Sequence, residues 1–101
     1  MIKLTFLYGH PHDPQEFERY YAETHAPLAV QMKGIARFEL TRFGPGPDGS
    51  RPAYYRMAEL YFATEAQLQK TLDSSEGRAA MADLPNYATG GVTVLTGSVE
   101  D

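Results

Sequence analysis

Four stretches of alternating apolar residues and two helical patterns follow one another along this chain, and their order restricts the fold severely. The strand-like stretches span residues 2–8, 35–43, 54–63 and 92–96, and apolar side chains recur there at every second position. One helical pattern follows the first strand and another follows the third. The order β-α-β-β-α-β with right-handed crossovers predicts a four-stranded antiparallel sheet with both helices on one face, the ferredoxin-like α+β fold.

The first helix has clear start and stop signals. Asp13 precedes Pro14, and a capping aspartate followed by proline at the first helical position is typical of a helix N-terminus. We expect this helix to run to about residue 32, to bend near Pro27, and to end at Gly34.

The second helix begins at Thr64 and is less regular. Residues 74–77, Ser-Ser-Glu-Gly, predict an interruption, and another helical turn or two follows over 78–84 before Pro85. Between the two middle strands, the Gly- and Pro-rich stretch 44–52 is interpreted as a long hairpin loop rather than a domain linker. We therefore expect a single domain over residues 1–101.

Composition excludes several classes of function. The net charge is −4 and no basic run offsets it, which argues against binding to nucleic acid. The chain has no cysteine, so disulfides, thiol catalysis and thiolate metal sites are excluded. No apolar run approaches membrane-spanning length and the N-terminus lacks a signal-peptide pattern, so we expect no membrane association and a soluble, cytoplasmic protein.

Both faces of the predicted sheet carry large apolar side chains. Phe38 and Leu60 fall at one parity of their strands, and Met57 and Tyr61 fall at the other. Because the helices cover one face alone, a monomer would expose the second apolar layer. The expected solution is a homodimer through the open sheet face.

His25 is the strongest candidate for a functional residue. Phe17, Tyr21, Thr24 and Leu28 form an apolar stripe at helical period, which places His25 on one shoulder of a buried surface. A side chain that titrates near neutrality is suited there to act as a general base, or as a donor to an oxyanion, in a cleft between helix and sheet. The alternative is a structural histidine fixed by Tyr21 or by a backbone carbonyl of the bent helix.

Aromatic residues near this helix suggest the wall of a ligand pocket. Tyrosines at such spacing also occur as core aromatics whose hydroxyl reaches solvent, and that alternative stays open. The candidate catalytic residues are His25, Tyr21 and Glu59, and the candidate substrate-binding residues are Tyr8, Tyr20, Tyr55, Tyr61 and Leu28.

Glu59 is informative because a carboxylate in the middle of a central strand is unfavourable unless it is paired. It is either an acid/base partner for His25 or one half of a structural pair with Arg37, Arg42 or Arg56.

We expect neither a metal nor another cofactor. His10, His12 and Asp13 are close in sequence, but the aspartate is better explained as a helix cap and no further cluster supplies ligands. Nothing besides His25 suggests haem.

Several motifs together resemble the EthD family, first associated with degradation of ethyl tert-butyl ether. They are LYGHP at 7–11, DPQEF at 13–17, YYAETHAPLA at 20–29, YYRMAELYF at 54–62 and DLPNYATGGVT at 83–93, and they cover nearly the whole chain. The resemblance implies the dimeric α+β barrel superfamily, in which two ferredoxin-like subunits press their sheets together.

The wider superfamily includes cofactor-free monooxygenases, muconolactone isomerase-like enzymes, polyketide cyclases and haem-dependent enzymes. The resemblance therefore implies a protein that binds a small apolar or aromatic molecule, as a cofactor-free monooxygenase, isomerase or cyclase of oxidative catabolism or secondary metabolism. His25 would move a proton, Tyr21 or Tyr20 would orient the ligand, and Glu59 would tune the imidazole. The alternatives are a non-catalytic accessory or metabolite-binding protein that supports an oxygenase pathway, or a dimer with a vestigial pocket.

Overall fold

A computed structural model describes residues 1–100; residue 101, the last of the predicted domain, lies outside the described residues. It confirms the ferredoxin-like α+β fold. The strands are β1 (Ile2–Tyr8), β2 (Arg37–Arg42), β3 (Arg56–Phe62) and β4 (Val92–Ser98), and the helices are α1 (Pro14–Tyr20), α2 (Ala26–Ala29), α3 (Glu65–Asp73) and α4 (Ser75–Tyr87). A π-helical turn, Tyr21–His25, joins α1 to α2. None of the helices described is long and apolar enough to cross a membrane.

The four strands form one antiparallel sheet in the order β2-β3-β1-β4. In the register of the central strands, Leu4 lies opposite Leu60 and Phe6 lies opposite Ala58. These side chains point toward the helices and are buried, because alternate residues of a strand face opposite sides of the sheet. The helices thus cover one face of the sheet, and the intervening residues of each strand lie on the open face.

The strand bounds differ from the sequence prediction at the ends. The second and third strands are shorter than the predicted 35–43 and 54–63, because β2 and β3 pair over Arg37–Arg42 and Arg56–Tyr61. The last strand is longer than the predicted 92–96, since β4 pairs with β1 as far as Ser98. Strand ends depend on the length of the partner, which an isolated pattern does not reveal.

The helical caps follow the sequence signals. The side chain of Asp13 accepts hydrogen bonds from the backbone of Gln15 and Glu16 at the start of α1. Thr64 accepts one from the backbone of Gln67 at the start of α3. Both interactions satisfy donors that a helix N-terminus would otherwise leave unpaired.

The predicted break over 74–77 is wrong in extent. Ser74 alone separates α3 from α4, and its hydroxyl accepts a hydrogen bond from the Gly77 backbone, so the next helix begins immediately. Nor does this helix stop before Pro85, because Leu84 and Tyr87 on either side of it are buried in the core. The hydrogen bond from the Ala88 backbone to the Leu84 carbonyl, 2.9 Å long, closes this last turn.

Candidate active site

The π-helical turn decides which residue of the first helical segment enters the core. The backbone N–H of Ala26 bonds to the carbonyl of Tyr21, five residues back, which is the π-helical spacing. This wider turn moves the buried stripe by one position, from the predicted Thr24 to His25. Thr24 is exposed and His25 is 7% exposed. The predicted stripe is therefore wrong after Tyr21, and His25 lies inside the fold rather than on its shoulder.

The partner of His25 is Asp83, a residue that sequence reasoning missed. The Nδ1 atom of His25 lies 3.0 Å from Oδ2 of Asp83, and both side chains are buried. Asp83 shares the inward stripe of α4 with Ala80, Leu84 and Tyr87. An acidic residue within an apolar helical stripe was the signal that could have found it.

Asp83 is held by two further donors. The hydroxyl of Tyr20 lies 2.6 Å from Oδ1 of Asp83, and the side-chain amide of Asn86 lies 3.0 Å from the same atom. Burial acts to raise the pKa of Asp83, but the hydrogen bonds from Tyr20, Asn86 and His25 outweigh it and hold the pKa below its ordinary value. Asp83 is therefore ionised at neutral pH.

His25 is neutral under the same conditions. Burial lowers the pKa of His25 below the ordinary value of 6.5, and the hydrogen bond and charge of Asp83 offset this effect only in part. Since an ionised carboxylate accepts but does not donate, Nδ1 of His25 carries the ring proton. Nε2 is then an unprotonated acceptor, the tautomer that a general base needs.

Aromatic rings fix the position of the imidazole. The Tyr87 ring lies 4.6 Å from the His25 ring, centre to centre, and it stacks on Tyr20 at 5.5 Å. The Tyr87 hydroxyl in turn shares a 2.6 Å hydrogen bond with that of Tyr8 in the central strand. Tyr87, which sequence reasoning did not single out, thereby connects the sheet to the histidine.

A pocket lies between the helices and the sheet, with His25 in its wall. The space between these elements is about 370 Å³ when the solvent at its open mouth is counted, but the centre of a water-sized sphere can move through only about 20 Å³ of it, so the interior is narrow. Of the predicted site residues, the structure brings Tyr8, Tyr21 and His25 together there. The remaining lining is apolar: Phe6, Ala29, Met32, Phe38, Ala58, Leu60, Leu72, Ala80, Met81 and Leu84.

Glu59 does not reach His25, and the expected pairing of the two is wrong. Glu59 alternates with the buried residues of β3 and so lies on the open face of the sheet. There its Oε2 lies 2.8 Å from Nζ of Lys3, so the expected arginine partners are not found either. Tyr61 lies on the same open face and donates a hydrogen bond to Glu39, away from the pocket.

Three further predicted binding residues lie outside the pocket lining. The Tyr55 hydroxyl bonds to Glu18 at 2.9 Å. Tyr20 does not line the pocket; its hydroxyl bonds to Oδ1 of Asp83. Together with Asn86, Tyr20 lines a separate surface depression. Leu28 is half-buried and is displaced from the pocket by the π-helical turn.

The histidines near the first turn do not converge on a common point. Nε2 of His10 lies 2.7 Å from the carbonyl of Pro52, and Asp13 caps α1. Within residues 1–100, no group of three or more His, Cys, Asp or Glu side chains is arranged to hold a metal ion.

Known proteins share both the sequence motifs and the fold of this chain. The family model described as the EthD domain matches residues 10–91. The chain belongs to the EthD family. An EthD-family protein from Bacillus halodurans has the same fold at a TM-score of 0.92, with 33% identity and 99% of both chains covered. A Rhodococcus erythropolis protein of 11.0 kDa, encoded between thcB and thcC and described as uncharacterised, is 39% identical over 95 residues, or 94% of this chain and 91% of the relative.

More distant structures share the fold of this EthD-family chain. A dimeric ferredoxin-like protein of unknown function from Thermobifida fusca has a TM-score of 0.70 and 11% identity, covering 97% of this chain and 90% of that one. SnoaB from Streptomyces nogalater, a cofactor-independent oxygenase, has a TM-score of 0.65 and 18% identity, with 99% and 92% covered.

Proposed function

We propose that this EthD-family protein binds a small apolar or aromatic organic molecule between its helices and its sheet, and that His25 acts on it as a general base. The observation that carries the proposal is that His25, which lines an apolar pocket, forms a buried pair with Asp83. A buried histidine oriented by a carboxylate is a recurrent arrangement for proton abstraction. Proton transfer of this kind needs no cofactor.

Each member of the site has a distinct part in the proposed reaction. Nε2 of His25 takes a proton from the bound molecule, and the imidazolium that forms is stabilised by the adjacent Asp83 carboxylate. Tyr20 and Asn86 do not touch the ligand. They hold the Asp83 carboxylate in place through hydrogen bonds to its Oδ1 atom. Tyr87 packs against the imidazole and limits its rotation.

The description of SnoaB supports the oxidative side of the proposal. That distant neighbour is a cofactor-independent oxygenase, and oxygenation without a cofactor requires a substrate that becomes electron-rich when it loses a proton. A base in an apolar pocket is suited to generate such an anion away from water. We assign this protein to the same broad class, with its substrate in oxidative catabolism or secondary metabolism.

A non-catalytic role is the second candidate. The Rhodococcus erythropolis relative is encoded between two other genes, thcB and thcC, and that position favours a role beside the products of its neighbours. In this case the pocket would hold a metabolite for a partner oxygenase and His25 would serve to bind it.

Turnover in variants separates the two candidates. A panel of apolar aromatic compounds is screened by thermal shift, since a ligand that binds the native state raises the melting temperature. Compounds that bind are then incubated with air and analysed by mass spectrometry. We expect the wild type and His12→Gln to convert a bound compound and His25→Gln to bind it without conversion. Undiminished conversion by His25→Gln would exclude the base role, and binding without conversion by the wild type would favour the accessory role.

We also propose a homodimer through the open face of the sheet. Leu7, Met57 and Tyr61 are only half-buried on that face, and Leu95 is 51% exposed. A second copy of the sheet would remove these side chains from water. The Thermobifida fusca neighbour is described as dimeric, which supports a dimer for this chain as well.

A further inference from the structure

We infer that the pocket selects molecules that carry a hydroxyl group, phenols or enols, over ethers and hydrocarbons of similar shape. The inference deepens the proposed function and rests on it, because it assumes that the pocket is where the ligand binds. It follows from the polar atoms in the pocket wall.

The pocket wall has few polar atoms and contains no Lys, Arg, Asp or Glu side chain. Among the described lining residues, Tyr8, Tyr21 and His25 alone have polar side-chain atoms. The Tyr8 hydroxyl is already paired with that of Tyr87. Two polar groups of the lining residues then remain for a ligand, the Tyr21 hydroxyl and Nε2 of His25. The Arg56 guanidinium lies over the Tyr21 ring, 4.6 Å from its centre, but Arg56 is not part of the lining.

Nε2 of His25 is an accessible acceptor that lacks a donor. The proton of the ring is on Nδ1, where Asp83 holds it. No residue of 1–100 forms a hydrogen bond with Nε2. Within this range, Nε of Arg56 is the one side-chain nitrogen or oxygen that is both fully buried and without a hydrogen-bond partner. Nε2 is therefore unpaired but keeps some accessible surface, and His25 lines the pocket.

The Tyr21 hydroxyl is the complementary group. The Tyr21 hydroxyl makes no hydrogen bond within residues 1–100, and its oxygen is likewise not fully buried. Burial raises the pKa of Tyr21, so the hydroxyl keeps its proton and is able to donate. The Tyr21 and His25 rings lie 5.5 Å apart, centre to centre, and both side chains are buried.

A single hydroxyl oxygen satisfies both groups at once. It donates its proton to Nε2 and accepts one from Tyr21. An ether oxygen accepts from Tyr21 but leaves Nε2 without a donor, and a hydrocarbon leaves both groups unpaired. A buried acceptor that loses water and gains no donor weakens binding by about tenfold or more.

Phenol and anisole are the matched probes, because anisole replaces the hydroxyl proton by a methyl group. Dissociation constants at pH 7.5 are measured by ligand-observed NMR for the wild type, His25→Phe, Tyr21→Phe and the control His12→Phe. The phenol-to-anisole affinity ratio is compared among variants, which cancels the different hydration of the two compounds. We expect this ratio to fall about tenfold or more in His25→Phe, to fall less in Tyr21→Phe, and to be unchanged in His12→Phe.

A second measurement needs no substitution in the site. When His25 is protonated, Nε2 becomes a donor, so acidification through the His25 titration, followed by the NMR shift of its ring protons, is expected to reduce the phenol-to-anisole ratio of the folded wild type. An equal ratio in the wild type and in a folded His25→Phe, or a ratio that does not change across that titration, would overturn the selection for hydroxyl compounds. Failure of phenol, anisole and toluene alike to bind the wild type would instead refute the proposed function itself.

Discussion

The side chains of His25 and Asp83 meet at 3.0 Å although 58 residues separate them in the chain. One comes from the π-helical turn after α1 and the other from the middle of α4. The pair therefore exists only when these two helical segments are packed together. Its geometry determines the tautomer of the histidine, and through the tautomer it determines what the pocket can accept.

Asp83→Asn is expected to lower kcat/KM by about a hundredfold or more, because an amide cannot stabilise the imidazolium as a carboxylate does. The charge of Asp83 raises the pKa of His25, so its removal should also shift the acid limb of the pH–rate profile to lower pH. The matched control is Asp73→Asn, an exposed carboxylate at the end of α3 that accepts a bond from Gln69. A variant with wild-type turnover and an unshifted profile would show that Asp83 is not a positioning residue.

The stability of the protein should fall as the pH drops below about 6.5, the unperturbed histidine pKa. The folded state holds His25 with a lowered pKa, so the unfolded chain takes up a proton first, and stability present above this pH is lost on acidification. Melting temperatures from pH 8 to pH 5 measure the effect. In His25→Gln the decline should be shallower than in the wild type or in His12→Gln; parallel curves would contradict the assignment.

Tyr87→Phe is expected to destabilise the fold by about 1–3 kcal/mol. The substitution removes the partner of the Tyr8 hydroxyl, and Tyr8 is 1% exposed, so that hydroxyl would be left buried and unpaired. Urea unfolding gives the free energy directly. Tyr54→Phe is the control, since that residue is 37% exposed and its loss of a hydroxyl should cost little.

Gly90→Ala is expected to destabilise the fold by about 1–3 kcal/mol through overpacking. A Cβ atom at this position would clash with the carbonyl oxygen of His10, because the segment before β4 passes directly over the end of β1. At Gly44, which follows β2, a Cβ meets nothing within 4 Å. Gly44→Ala should therefore be neutral or slightly stabilising in the same unfolding experiment, and equal losses in both variants would argue against the close contact.

Leu95→Glu is expected to convert the proposed dimer into a monomer. Leu95 lies opposite Thr5 on the open face of the sheet, and a charge there would be buried in the interface. Light scattering should give about twice the 11.2 kDa chain mass for the wild type and the single chain mass for Leu95→Glu. The control is Val30→Glu, which places the same charge at an apolar residue that is 77% exposed on the helical side; it should remain a dimer. A monomeric wild type at micromolar concentration would refute the dimer.

The fold was predictable because its information is local. Alternation in β1 and β3, the Asp13 and Thr64 caps and the Gly- and Pro-rich loop each specify a nearby element, and few topologies accept their order. The same patterns set the inward faces of the central strands correctly, since a strand has a fixed period of two.

The site was predictable only in part because its decisive features are not local. His25, Tyr21 and Tyr8 were identified from type and position, and the structure places them at one pocket. The π-helical turn was missed because helical periodicity assumes one hydrogen-bond spacing throughout. Asp83 was missed as the partner because a stripe pattern reports burial but not which buried group lies across the interface.

The π-helical turn Tyr21–His25 also bears on how this pocket can change. Such a turn holds one residue more than the α-helical turn it replaces, so the pocket wall depends on the length of this segment as well as on its side chains. Tyr21 and His25 stand at the two ends of the turn, and both are buried. An insertion or deletion here therefore acts on the site itself, whereas the largely exposed loop 44–52 tolerates a change of length far better.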